Sequence, residues 1–412
     1  MKIIAALICI FVILPVFNIA RAQYGWERQN STTEYTLYSV SFVDDINGWV
    51  CGEDKTVLRT TDSGENWDSQ FASPLASYFG ISFCDSMYGV ATGTGGVIVY
   101  TTDGGAVWNT VQEGWLLSFN AAFQIDSLWA CVVGSNSIFQ PMIHVTTDGW
   151  QTQNIYIFYL DHGGYHEGNL RDVYFFDSDI GCATAAVWNG DGAVVRTTDG
   201  GVNWSTVYWG GNIMTGIDFP TPDTGYAVGF GGTAVKSIDA GLSWVELTTG
   251  YGVELLDVSF GSADTGTAVG AFGYILRTVD GGASWDLQDA GLSTHLRGVQ
   301  FITTDIGYAV GDSGIILFTY TGGEPPAGCD YSPGDANNDG STNGLDVIYL
   351  VAFFKGGPEP PLTCPCGSHG DLFVGADANG SCSVNGLDVT YMVSYFKGGP
   401  DIIACPDCPP TP

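Results

Sequence analysis

Positive charge is scarce in this chain: 12 Lys and Arg stand against 44 Asp and Glu, for a formal net charge of −32. So acidic a surface repels phosphate backbones and anionic lipid, which excludes nucleic acid and membrane surfaces as partners. Charged residues are few altogether, at 14%, too few for a coiled coil or a disordered polyelectrolyte. Long apolar runs are also missing, with one exception. Ile3 to Ile19 follow Lys2 and end in Ala20-Arg21-Ala22, the layout of a secretory leader. The expectation is cleavage after Ala22, a signal peptide over residues 1–22 and an exported protein, secreted or at the cell surface. No other stretch is long and apolar enough to span a bilayer.

What the chain has in abundance is glycine (58) and aromatics (13%), arranged in repeats. One unit runs apolar-x-x-apolar-x-Phe, then Asp-x-x-Gly-Tyr-Ala-Val-Gly, then Ile-Leu-Arg-Thr-Thr-Asp-Gly-Gly-x-x-Trp. The phenylalanine recurs at Phe42, Phe83, Phe123, Phe175, Phe219, Phe260 and Phe301, and the second motif around Gly48, Gly89, Leu128, Gly181, Gly225, Gly266 and Gly307. Units spaced by roughly 40 residues, each with four short strands, predict a β-propeller. The third-to-fourth strand turn repeats as Thr60/Asp62/Gly64/Trp67, Thr101/Asp103/Gly105/Trp108, Thr197/Asp199/Gly201/Trp204, Ser237/Asp239/Gly241/Trp244 and Thr278/Asp280/Gly282/Trp285. Trp150 replaces the glycine in the third unit, and Thr321 the aspartate in the seventh. The seventh unit has no fourth strand of its own. Gly-Trp26-Glu-Arg-Gln resembles Asn-Trp67-Asp-Ser-Gln, so the N-terminal segment is expected to supply it and seal the edge. The fold class expected is all-β: a seven-bladed propeller of four-stranded blades over residues 23–323, closed by its N-terminal strand.

The turn resembles the Asp-box, or BNR repeat. The whole unit resembles the photosystem II assembly and stability factor family, over about residues 24 to 323. That resemblance implies a non-catalytic binding or assembly role. The family places arginines at the starts of inner strands. Here Arg171 and Arg297 hold that position, while Tyr38, Phe79, Phe119, Thr215 and Leu256 occupy it in the other units.

Gly and Pro mark a linker at residues 324–334, and a duplicated segment fills residues 335–408. Its first copy sets Asp335, Asn337, Asp339, Ser341, Asn343 and Asp346 at loop positions 1, 3, 5, 7, 9 and 12; its second sets Asp377, Asn379, Ser381, Ser383, Asn385 and Asp388. Calcium takes six to eight hard oxygens around a sharply turned loop, and Gly340 permits that turn in the first copy. Each loop is followed by a helical stretch ending in Lys-Gly-Gly-Pro, with Val347, Val351 and Phe354 expected on one face. A loop and one helix, twice, resembles a type I dockerin. The resemblance implies calcium as cofactor and a cohesin-like domain or cell-surface scaffold as partner. In the second loop Ser381 and Cys382 replace Asp and Gly. Cys329, Cys364, Cys366, Cys382, Cys405 and Cys408 crowd this module; export favours disulfides over a zinc site. Cys51, Cys84, Cys131 and Cys182 fall in propeller strands, where Cys51 and Cys131 read as buried thiols.

Strand parity puts all long insertions on one face of the ring, away from the Asp-box turns: Gly134 to Met142, Phe158 to Asn169 and Trp188 to Gly192. Trp115, Trp188, Tyr208 and Trp209 lie there too, and with Arg171 and Arg297 they form the candidate ligand face for carbohydrate or protein. Asp161, His162, His166 and Glu167 in one insertion are a further metal candidate. Sialidase chemistry needs three converging arginines, and Arg59, Arg196 and Arg277 belong to the turn motif at the blade periphery. The leading expectation is therefore a non-enzymatic binding or assembly protein that docks through its dockerin-like module. The alternative is a dockerin-borne extracellular glycoside hydrolase acting on polysaccharide through paired carboxylates.

Overall fold

Each repeat folds into one antiparallel sheet, and seven four-stranded sheets make the ring. The structure is a computed structural model that describes residues 25–70, 76–112, 117–160, 167–288, 290–324, 332–338, 341–360, 364–365, 371–373, 375–379, 381 and 383–403. Blade 1 is built from Leu37–Phe42 at the axis, then Gly48–Gly52, Val57–Thr60 and Asp68–Ser69 at the rim. Blade 7 takes three strands from Leu296–Phe301, Gly307–Gly311 and Ile316–Gly323, and its rim strand is Gly25–Gln29 from the N-terminus. The closing register pairs Gly25 with Gly323, Arg28 with Leu317 and Gln29 with Ile316. The expected closure by the Trp26 segment is thus what the chain does. Among the described residues no helix is long and apolar enough to cross a membrane.

Stacked aromatics fill the space between blades. Phe83 of blade 2 lies flat on Trp49 of blade 1 with centroids 3.7 Å apart, and meets its own Asp-box Trp108 edge-on at 5.9 Å. Phe42 does the same with Tyr308 and Trp67, and Phe260 with Tyr226 and Trp285. The glycine that opens the second strand makes room for this ring: a Cβ on Gly48 would lie 2.3 Å from Phe42. Blade 3 corrects the sequence reading. Gln124, not Phe123, pairs with the second strand where other blades have Phe, and its partner is Ala130, not Leu128. With no ring to accommodate, the glycine is dispensable there. The repeat slips by one residue, which a Phe-anchored alignment hides.

In the Asp-box turns the hydroxyl and the carboxylate divide the loose amides. Gly64 N donates to Thr60 Oγ1 at 2.8 Å and Asn66 N to Asp62 Oδ1 at 2.9 Å. Trp150 in blade 3 keeps the first bond, to Thr146 Oγ1 at 2.8 Å, with a left-handed φ of 66°. Blade 7, lacking the Asp, keeps it too: Gly323 N donates to Thr319 Oγ1 at 2.7 Å. Two arginines of this motif lie on third strands, away from the axis, and stack on aromatic rings. Arg277 is buried with its guanidinium 5.2 Å over the Phe301 ring, and Arg59 sits likewise over Trp49.

Blades are joined at the axis by a second recurring bond. A side chain on each of several inner strands accepts the amide of a residue on the next blade's inner strand. Phe83 N donates to Ser41 Oγ at 3.0 Å, Gln124 N to Ser82 at 3.1 Å, Phe260 N to Asp218 at 2.6 Å and Phe301 N to Ser259 at 2.9 Å. Asp172 accepts from Ile217 N and Asp257 from Val299 N. Between blades 3 and 4 the sense reverses, and Asn120 Nδ2 donates to Leu170 O at 2.6 Å. Gln300 returns the series to blade 1: it accepts from Phe42 N and donates to Phe42 O at 3.1 Å.

Beyond the linker, helices α1 (Gly344–Phe353) and α2 (Gly386–Tyr395) each begin with the same capping box, Asn343 with Asp346 and Asn385 with Asp388. Their core is Ala336, Leu350, Ala376, Ala378 and Met392. Val347 packs against it as expected, but Leu350 rather than Phe354 fills the centre, and Phe354 is exposed. Cys51, Cys131 and Cys182 are buried free thiols, and Cys84 is half-buried and free. The module's cysteine pairings lie outside the described residues.

Trp26 is fully buried, donates Nε1 to Gln288 Oε1 at 2.9 Å and meets Phe301 edge-on at 5.9 Å. Trp26→Ala is expected to destabilise the propeller by about 3–5 kcal/mol, the usual loss for a large buried aromatic. Chemical denaturation followed by fluorescence measures it; a loss below about 1 kcal/mol would contradict closure by this strand.

Candidate functional site

Every inner strand is broken by a β-bulge at the same place: between Leu37 and Ser39, Tyr78 and Gly80, Phe119 and Ala121, Leu170 and Asp172, Met214 and Gly216, Leu255 and Asp257, Leu296 and Gly298. A bulge leaves one residue unpaired and turns its side chain out of the ladder. The residues so released are Tyr38, Phe79, Asn120, Arg171, Thr215, Leu256 and Arg297, and all seven line a cavity of about 510 Å³ on the ring axis. The position expected from the sequence is right in six blades. In blade 3 it is Asn120, not Phe119, which is buried against Val90 and Ile98. Chemical diversity at one position of an otherwise regular repeat was the available signal for a solvent-facing site.

The two arginines differ. Arg297 bonds through Nε to Asp312 Oδ1 at 2.5 Å and lies 5.3 Å over the Tyr38 ring. Tyr38 in turn donates to Glu53 Oε1 at 2.9 Å and meets Phe79 edge-on at 5.0 Å. Burial and the Glu53 carboxylate push the Tyr38 phenol up to about 12. Among the described residues Arg171 has no hydrogen-bond or ion-pair partner, and partial desolvation lowers its pKa.

Below this rim Asp172, Asp218 and Asp257 face the same cavity from blades 4, 5 and 6. Burial raises all three pKa values. Asp218 is pushed up to about 6, and repulsion from Asp172 adds to the rise at Asp257. Raised carboxylates in a cleft suggest general acid–base work, but these are engaged. Asp172 accepts Val173 N at 2.8 Å and Ile217 N at 2.9 Å; Asp257 accepts Val258 N and Val299 N, each at 2.8 Å. Ser41, Ser82 and Ser259 make equivalent bonds in other blades. The acids are blade-to-blade joints, and the arrangement lacks a carboxylate pair free to act on a substrate at these positions.

The remaining predicted face residues do not join the arginines. Tyr208 donates to Glu246 Oε1 at 3.0 Å, and Trp209 packs into the blade 3–4 core with its Nε1 on Asp191 Oδ2 at 3.3 Å. Trp188 is exposed and touches Phe139, a residue the sequence reading passed over. Trp115, Asp161, His162 and His166 lie outside the described residues; Glu167 is exposed.

In the duplicated module, Asp335, Asp346, Asp377 and Asp388 are all buried. Asp346 accepts Asn337 N at 3.2 Å and Asn343 N at 2.8 Å; Asp388 accepts Ala378 N, Asn379 N and Asn385 N. Each loop therefore wraps back on its twelfth residue and brings its first and last carboxylates into the interior. Asn337, Ser341 and Asn343, with Asn379, Ser381, Ser383 and Asn385, supply further hard oxygens in the same loops. Among the described residues no three of His, Cys, Asp and Glu gather as a metal site. That accords with loops that mix two described Asp with amide, hydroxyl and backbone oxygens. Asp339 lies outside the described residues.

The described residues define a seven-bladed β-propeller with BNR-type turns and an axial cavity rimmed by bulge residues. The family model for the photosynthesis system II assembly factor YCF48 matches residues 19–118 and 244–327. Among solved structures, YCF48 bound to D1 peptide is similar at 22% identity and a TM-score of 0.58, covering 72% of this chain and 97% of that one. YCF48 from Cyanidioschyzon merolae is similar at 18% and 0.59, covering 72% and 98%. The propeller of U3-55K matches at only 9% and 0.57, a likeness of fold alone. No curated protein matches the chain.

Since Asp218 is charged at neutral pH only against its raised pKa, its folded form holds a proton more tightly than its unfolded form. Its contribution to stability is full below about 3.8, fades as pH rises, and is gone above about 6. Asp218→Asn, which mimics the protonated acid, is expected to raise the thermal midpoint at pH 8 and leave it nearly unchanged at pH 4. Melting curves at the two pH values check the sign.

Proposed function

We propose that this is an exported, non-catalytic binding or assembly protein whose propeller grips a protein segment at the axial cavity. The observation that carries this reading is the bulge-borne rim, where unpaired Arg171 stands with Arg297, Tyr38, Phe79 and Asn120 around an open cavity. A guanidinium without a partner favours a ligand carboxylate, and the aromatic rim favours a flat peptide or ring face. The similar YCF48 structure is of a peptide complex, which supports a peptide as the ligand class. The engagement of all three cavity aspartates with backbone favours binding over glycoside hydrolysis. The second half of the proposal is that the module after the linker folds around calcium in its dockerin-like loops and docks the propeller to a cohesin-type partner.

Panning a random peptide library on the full-length chain is expected to enrich sequences whose affinity drops about tenfold or more with Arg171→Ala, the scale of losing one buried charge-assisted contact. Enrichment indifferent to both Arg171→Ala and Arg297→Ala would sink the rim as the binding site.

Calcium added to the chelator-treated full-length chain should release heat and protect residues 332–403 from protease. Asp346→Ala should remove the tighter of two binding events, because the second loop has Ser381 where the first has Asp339. A calorimetric trace with no heat would end the calcium proposal.

A further inference from the structure

The face of blades 3 and 4 carries a second constellation, away from the arginines of the rim. Trp188 is 64% exposed and Phe139 44% exposed. Their rings touch across the two blades, with centroids 4.9 Å apart and planes tilted by 55°. Phe139 occupies a left-handed φ of 56° in the Asn136–Gln140 turn. That position normally takes Gly or Asn, and a bulky residue there is strained. Phe272 and Ser313 take the same conformation in the equivalent turns of blades 6 and 7, so it fixes the direction of the Phe139 ring.

Polar groups flank the pair and are already oriented. Asn136 Nδ2 donates to Gln140 Oε1 at 2.9 Å, and Gln140 Nε2 donates to Tyr159 Oη at 2.8 Å. On the other side Asn189 Nδ2 donates to Asp191 Oδ2 at 2.6 Å, and the same oxygen receives Trp209 Nε1. No Lys or Arg occurs in either loop, Gly134 to Met142 or Val187 to Gly192. The backbone of both loops is engaged: Asn136 N bonds to Gln140 O, Phe139 N to Asn136 O, Gly168 N to Phe139 O and Val187 N to Asp191 O. No open strand edge is offered to a peptide there. The YCF48 family model also skips residues 119–243, so this surface belongs to the part of the ring in which the chain departs from that family.

Exposed indole and phenyl faces beside fixed amide, phenol and carboxylate groups suit a ligand with one C–H face and many hydroxyls. We propose that Trp188 and Phe139, with Gln140, Tyr159, Asn189 and Asp191, form a binding site for a neutral hexopyranose chain. The ring's C–H face lies on Trp188, and its hydroxyls exchange hydrogen bonds with the amides and with Asp191. The lack of Lys and Arg in these two loops and the presence of Asp191 disfavour anionic sugars. The site deepens the reading of the propeller as a binding platform, but it shares no residue with the axial rim.

The test is fluorescence and calorimetric titration of the full-length chain with cellohexaose, laminarihexaose and mannohexaose, with oligogalacturonate as the anionic comparison. At least one neutral oligosaccharide should bind, and Trp188→Ala should weaken it about tenfold or more. Phe139→Gly should weaken binding while leaving the thermal midpoint unchanged or higher, because it relieves the strained turn. Phe272→Ala, which removes an exposed aromatic from a blade 6 turn, should leave binding intact. The proposal is overturned if no neutral oligosaccharide binds, if oligogalacturonate binds as well, or if Phe272→Ala and Trp188→Ala cost the same. Peptide capture at Arg171, measured on the same chain, reports separately on the axial site.

Discussion

A ring of sheets stands or falls on how each sheet is joined to the next at the axis, where strands are closest and the backbone of neighbouring blades faces inward. In this propeller the joint is a side chain from one inner strand reaching the backbone of the next. Ser41, Ser82, Asp172, Asp218, Asp257 and Ser259 accept an amide, Asn120 donates to a carbonyl, and Gln300 does both. A buried amide left unanswered costs about 1–3 kcal/mol, so loss of a joint would penalise the closed ring directly. Serine makes the joint without charge. Blades 4 to 6 use carboxylates instead, and their mutual repulsion and burial show in the raised pKa values. Stronger single bonds are obtained there at the expense of crowding negative charge along one side of the cavity.

The same inner strands generate the display surface. A bulge in each inner strand frees a single side chain per blade, and the joints lie on the same strands. The released residue varies from Tyr to Arg to Leu among the blades, while Asn120 and Thr215 also bond to the next blade. A rim of varied residues on a rigid frame is the usual way a propeller acquires a ligand.

Much of this was legible in the residues. The seven units, the closing role of the Trp26 segment and the Asp-box turns follow from spacing and turn chemistry alone. Arg171 and Arg297 lie on the axial cavity, at the inner-strand position that the family resemblance pointed to. Three things were hidden. The one-residue slip in blade 3 was masked because Phe123 offers a false anchor beside Gln124. The joints were invisible because Ser and Asp on a strand look like ordinary polar positions until the neighbouring blade is in place. The pairing of Phe139 with Trp188 escaped because the two lie on different blades, and nothing in either loop names the other.

Closing the ring with its own beginning has a consequence for the order of events in the cell. Trp26 leaves the ribosome ahead of every other strand of the ring, yet its partner Gln288 follows 262 positions later. At a synthesis rate of about 5–20 residues per second, the opening segment waits from roughly ten seconds to a minute for the sheet it completes. Blades can form one by one during that interval, each from contiguous chain, but the circle cannot shut until elongation has passed the last of them. Commitment to the finished propeller is therefore a late, long-range step, and a truncated chain would expose the open flank of blade 7.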